Sequence, residues 1–396
     1  MHFLSFKLKS SFGTWRLHGF FSFSPLLLTI PFTILLWSKP VKVSDTFNPI
    51  AKEQNSSKLS LLFIGDIMQH MPQVEAAWND SLKKYIYDST FQYVRPIISA
   101  YDFAIANLET TLAGKPYSGY PAFSSPDEIV TGLLQTGIDI VGTANNHCCD
   151  RGRTGIERTI GILDSLGLKH LGTYRDNKEF RSTTPMILRK NGITIALLNY
   201  TFGTNGIPVP ANNIVSLIDK GLIARDLQAA RDSQPDKIIL FMHWGDEYQR
   251  EPNAYQKDIA GFCFGQGADI IIGSHPHVIQ PMEWYKPDSM NREKLVVWSL
   301  GNYVSNQRKQ YTDGGVMAGI TLRKENGKTC IEQADYQLTW VYNPIRYGKR
   351  QYYILPVNSF KNDSLWMGKE SYDAFRKFTS DSRELLRSNV NVIERY

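Results

Sequence analysis

Seven short apolar runs punctuate the middle of the chain: LSLLFIG (59–65), FAIA (103–106), IDIVGTA (138–144), TIALLNY (194–200), KIILFM (237–242), ADIIIG (268–273) and KLVVWSL (294–300). They are apolar at consecutive rather than alternate positions, the pattern of strands buried on both faces. Between them the period changes. After Thr154-Gly155, residues Ile156, Ile160, Leu163 and Leu166 fall at helical spacing, and Gly167 marks the end of the turn. Further helical patterns run through Leu222–Ala230 and Tyr255–Phe264. Strands alternating with helices predict an α/β domain over residues 59–325. Beyond it lie isolated strand-like pieces (Gln337–Tyr342, Gln351–Pro356) and a charged helical tail from Ser371. These predict an extension, 326–396, that packs on the domain.

The amino-terminal segment has a different character. Residues 20–37 carry no charge, basic residues precede them, and Lys39-Pro40 follows. At ~1.5 Å per residue such a run spans about 27 Å, near the ~30 Å hydrocarbon thickness. Pro25 and Pro31 are tolerated in a single membrane span. A cleaved signal peptide is the rival reading, but its apolar stretch is typically about 7–15 residues and ends at a small-x-small site. Trp37-Ser38-Lys39-Pro40 offers none. The expectation is therefore a signal anchor over 1–40, a polar linker over 41–58, and a domain on the extracytoplasmic side of the membrane.

Charge changes the picture only by exclusion. The 44 basic and 38 acidic residues give a net +6, but Lys7, Lys9, Arg16 and Lys39 all precede residue 41, where there is no acid. The remainder carries 40 basic against 38 acidic side chains, a net +2. No excess is left to neutralise a nucleic-acid backbone. The four cysteines (Cys148, Cys149, Cys263, Cys330) form no CxxC pair, which argues against a disulfide framework or a thiolate zinc site.

The chemistry collects where the strands end. The first run is followed by Asp66, the second by Asn107-Leu108-Glu109 and the third by Asn145-Asn146-His147. The later ones lead into His243-Trp244, Ser274-His275-Pro276-His277 and Asn302. Four of the eight histidines occupy these positions. Open α/β sheets bind ligands beyond the carboxyl ends of their strands, and carboxylates with imidazoles at one edge suit manganese, zinc or iron. Pro276 is expected to hold His275 extended, so that both imidazoles of His275 and His277 point to one side.

In order, GD (65–66), ANLE (106–109), ANNH (144–147), HWG (243–245), GSHPH (273–277) and SLGNY (299–303) resemble the signature series of the CapA/PgsA family. These are poly-gamma-glutamate capsule synthesis proteins of the calcineurin-like metallophosphoesterase superfamily. The resemblance covers roughly residues 59–322. It implies a four-layer α/β/β/α sandwich with one or two divalent ions at the strand edge. It further implies Asp66, Glu109, Asn146, His243, His275 and His277 as metal ligands and His147 as the catalytic histidine. Asn107, Asn145 and Asn302 would orient these groups or touch substrate. Two departures matter: Met68 stands where the superfamily has a histidine, and Glu109 where it has a bridging aspartate. The first ion is then expected to be held more weakly, with His70 as a candidate substitute. The implied activity is metal-assisted hydrolysis of an anionic polymer or phosphoester. The alternative is a non-catalytic capsule assembly or export component that works beside other capsule synthesis proteins.

Overall fold

The computed structural model describes residues 56–286, 293–346 and 348–395. The predicted anchor, and the linker as far as residue 55, lie outside the described residues. Among the described residues no helix is long and apolar enough to cross a membrane. Ser56–Lys58, assigned to the linker by their polarity, instead begin the first strand, Ser56–Ile67.

Two sheets carry the domain. The larger runs, in spatial order, Tyr353–Pro356, Lys328–Tyr342, Gly314–Glu325, Ser56–Ile67, Phe103–Leu108, Ile140–Gly142 and Lys169–Leu171. Its last four strands are parallel, whereas Gly314–Glu325 and those beyond it are antiparallel. The smaller sheet runs Met282–Tyr285, Lys294–Val297, Ile270–Ser274, Lys237–His243, Ile193–Thr201 and Met186–Lys190, antiparallel only at its two edges. All seven apolar runs are strands.

The reason for unbroken apolarity is visible in the packing. Within the first strand Leu61 and Phe63 face a core shared with Leu197, Ile239, Phe241 and Ile272 of the other sheet. Leu62 and Ile64 face the opposite way, onto Ile129, Leu133 and Leu163 of the helices. In the smaller sheet Leu198, Leu240 and Ile271 likewise turn outward, onto Ile223, Leu227 and Ile259. The layers are therefore helix, sheet, sheet, helix. Each side chain of this kind contributes ~1.5–3 kcal/mol on burial, and the rings of Phe63 and Phe241 meet edge to face across the two sheets at 6.1 Å.

The helices begin and end where local chemistry directs. Gly152–Leu166 buries Ile156, Ile160 and Leu163 and ends at Gly167 with φ 77°, while Leu166 stays exposed. Asp219 caps Lys220–Asp232, and a reciprocal Asn253–Gln256 pair caps Ala254–Gly265. The segment after residue 325 is not an appendage. Lys328–Tyr342 is a 15-residue strand of the larger sheet, hairpinned to Gly314–Glu325, so the boundary predicted at 325 cuts through one hairpin.

At Gly65 the backbone of Gly301 comes so close that a Cβ would lie 2.0 Å from its carbonyl oxygen. This approach seats Asp66 opposite Asn302 in register, and the Asp66 amide donates to the Gly301 carbonyl at 3.1 Å. Gly65→Ala is expected to cost at least ~1–3 kcal/mol, the range for an overpacked core. A lowered urea midpoint would show it; an unchanged midpoint would contradict the close approach.

Candidate metal centre

The parallel strands of both sheets end at one rim, and the polar residues that follow them meet there. Asp66, Asn107, Glu109, Asn145, Asn146, His147, His243, His275, His277 and Asn302 are all buried. Asp66 belongs to the larger sheet but is held from the smaller one. Ser274 donates its hydroxyl to Asp66 Oδ1, the His275 amide lies 3.4 Å from Oδ2, and His277 Nδ1 lies 3.2 Å from Oδ2. Asn107 Nδ2 donates to Asp66 Oδ1 at 2.7 Å and lies 3.4 Å from Glu109 Oε2 and 3.3 Å from His243 Nδ1.

These contacts aim the donors. His277 Nδ1 also sits 3.1 Å from Asn302 Oδ1, which leaves Nε2 facing Glu109 Oε1 at 3.8 Å. His243 Nε2 lies 2.8 Å from Asn146 Oδ1 and 3.7 Å from Glu109 Oε1. Asn146 is turned by its own Nδ2, which donates to Asn205 at 3.1 Å. Hydrogen bonds that fix a ligand's other face in this way are a regular feature of metal sites. Glu109 Oε1 and His275 Nδ1 are buried without a hydrogen-bond partner. Two overlapping groups, Glu109–His243–His275 and Asp66–Glu109–His277, bring their ligand atoms within 4.8 Å of one another. Orphaned buried donors in a carboxylate–imidazole set fit a divalent cation.

Electrostatics agree with that fit. Burial opposes ionisation of Asp66, but the hydrogen bond and charge of His277, then His243 and Ser274, hold it well below the usual carboxylate range. Burial, then the charge of Asp66, push Glu109 well above that range. Burial, then His275, hold His243 far below an ordinary imidazole, and burial, then His277, bring His275 down to about 3. Both rings are therefore neutral near pH 7 and ready to ligate.

One expectation fails in its reason. His275 and His277 are not extended: their φ values are 99° and 59°, in the left-handed region. The imidazoles converge through a strained turn, not by strand alternation. His70 does not replace the missing imidazole. It sits at the start of helix Met71–Ala77, where its amide and Nδ1 both meet Gln73 Oε1, and it joins none of the clusters. His147 also lies outside them; its Nδ1 is 2.8 Å from Asp150 Oδ2. Asn145 fixes this loop by donating to the Leu108 carbonyl at 2.8 Å and accepting from the His147 amide. Asp150, read from sequence only as part of a turn, was missed; its spacing of three from His147 was the available signal. Ser274 and Asn205 carried no such signal. Trp244 packs, stacked on Trp298, and all four cysteines are free.

Two facing sheets with a buried carboxylate–imidazole cluster at their common rim define a mixed α/β protein with a candidate divalent-metal centre. A family model described as bacterial capsule synthesis protein PGA_cap matches residues 60–307, more than half of the chain, and the chain belongs to that family. It is similar to the capsule biosynthesis protein CapA of Bacillus anthracis, 25% identical over 320 residues, covering 78% of this chain and 74% of the relative. It is also similar to the PGA biosynthesis protein CapA of Bacillus subtilis, 28% identical over 304 residues, covering 76% and 77%. Among solved structures, the Haemophilus influenzae NAD nucleotidase NadN is similar with a TM-score of 0.47 and 13% identity over 83% of this chain and 68% of that one. The calcineurin-like phosphoesterase YfkN of Bacillus subtilis gives 0.43 and 14% over 84% and 100%.

A cation at this centre competes with a proton on Glu109, whose protonated form burial and the nearby Asp66 charge favour. Its affinity is therefore expected to climb with pH while Glu109 remains protonated, by up to about tenfold per unit. Glu109→Gln should flatten that slope. Competition titrations with Mn2+ at pH 6, 7 and 8 check this, and a wild-type affinity independent of pH would contradict it.

Proposed function

We propose that the protein is a membrane-anchored, extracytoplasmic hydrolase of metallophosphoesterase type that acts in capsule or poly-gamma-glutamate synthesis. The observation that carries the reading is the buried, unpartnered Glu109 Oε1, with His243 Nε2 at 3.7 Å and His277 Nε2 at 3.8 Å. An apolar core does not keep such an atom bare unless a cation or its equivalent compensates it. Family membership supports the capsule setting, and the uncharged run at 20–37 supports the anchor.

Asp66, Glu109, Asn146, His243, His275 and His277 would hold one or two ions of manganese, zinc or iron. A bound ion of this kind supplies Lewis acidity and a water acidic enough to ionise near pH 7. The chain's own part is positioning and proton transfer. Asp150 accepts from His147 Nδ1 and leaves Nε2 free to stabilise charge on the substrate or to protonate a leaving group. Phe123, edge-on to His147 at 4.7 Å, restricts the ring's rotation and limits water around it. The substrate class is an anionic polymer or an envelope phosphoester.

Two measurements test this on purified full-length protein: metal content, and hydrolysis of a panel of phosphoesters and gamma-glutamyl amides. Bound metal with no turnover on any member would overturn the hydrolase reading and leave the assembly role. His147→Ala is expected to lower turnover by ~10²–10⁴ with metal content intact. Equal loss of both would make His147 a ligand instead.

A further inference from the structure

We propose that Glu247 is an additional ligand of the metal centre and closes its outer side. The inference rests on the metal-centre reading above but not on hydrolysis. Glu247 lies four residues after His243, on the loop that leaves strand Lys237–His243. A carboxylate oxygen of Glu247 and one nitrogen each of His275 and His277 lie within 4.8 Å of one another. Glu247 is exposed while both imidazoles are buried, so this group faces solvent, whereas the two that contain Glu109 face inward. His275 Nδ1, in a nine-tenths buried side chain, has no hydrogen-bond partner.

Donor chemistry gives Glu247 a purpose. Manganese and zinc in enzymes take four or more donors, oxygen or imidazole. Glu109–His243–His275 gains a further oxygen from Asn146, 2.8 Å from His243 Nε2. Asp66–Glu109–His277 gains no fourth His, Cys, Asp or Glu of its own among the described residues. Glu247 shares His277 with this group and His275 with the other, and lies on their solvent side. The backbone holds the carboxylate there. The Tyr248 amide donates to the Pro276 carbonyl at 2.8 Å, which ties the loop to the His-Pro-His turn. Gly245 and Tyr248 both have positive φ, 94° and 68°, an uncommon conformation for a bulky side chain such as tyrosine.

The test uses full-length protein in detergent, stripped with a chelator and titrated with Mn2+ or Zn2+ alone against a chromophoric competitor. Glu247→Gln is expected to weaken binding of one ion about tenfold or more without changing the thermal melt of the stripped protein. Tyr248→Phe removes the hydroxyl next to Glu247 in the chain but not the carboxylate, and should bind like wild type. Should Glu247→Gln misfold, Glu247→Asp is read in the same way, with a smaller loss expected. Unchanged affinity on loss of the Glu247 carboxylate overturns this proposal and leaves the inner centre standing. Equal losses in the Gln and Phe variants would make Glu247 a loop brace and also overturn it. A wild-type protein that binds neither ion overturns both readings.

Discussion

Asp66 is where the two sheets are tied at the functional rim. Its carboxylate lies at the end of the first strand of the larger sheet, yet its partners Ser274 and His277 come from the end of a strand of the other sheet and from the turn that follows it. Asn107 links the same carboxylate to Glu109 and His243. Two carboxylates buried this close cannot both be charged without a compensating cation, because an apolar interior cannot solvate them. Hydrogen bonds from Ser274 and Asn107 and the approach of His277 stabilise the Asp66 carboxylate, whereas Glu109 is left pushed up with one of its oxygens bare. Much of the local architecture follows from this imbalance.

The rim is expensive to hold. His275, His277, Tyr248 and Asn205 all adopt positive φ, and each such residue costs on the order of 1–3 kcal/mol. A layered core under them bears the cost. The strands beneath are buried on both faces, so their ends cannot relax without opening the sandwich. Strain is therefore concentrated in the turns that carry donors.

Legibility differed between levels for physical reasons. Strands buried on both faces announce themselves as continuous Ile, Val and Leu, so the seven apolar runs were readable. The long hairpin 314–342 was legible only at its end, Gln337–Tyr342, because the exposed turn at 326–328 and the polar run Glu332-Gln333 with the buried Asp335 interrupt its apolar pattern. The candidate ligands were readable because they immediately follow the strands. Asp150, Ser274, Asn205 and Glu247 were not, since their partners or neighbours at the rim become evident only when loops from different strands meet.

The order of strands, the chemistry at their ends and the family-specific motifs were properties of the chain itself, because burial and ligand chemistry select residue types locally. Which nitrogen of each histidine faces inward, which carboxylate stays bare, and whether His275 and His277 converge by alternation or by strain were decided only in three dimensions. The reason is that each depends on a contact with a residue tens to hundreds of positions away, and local sequence carries no record of that distance.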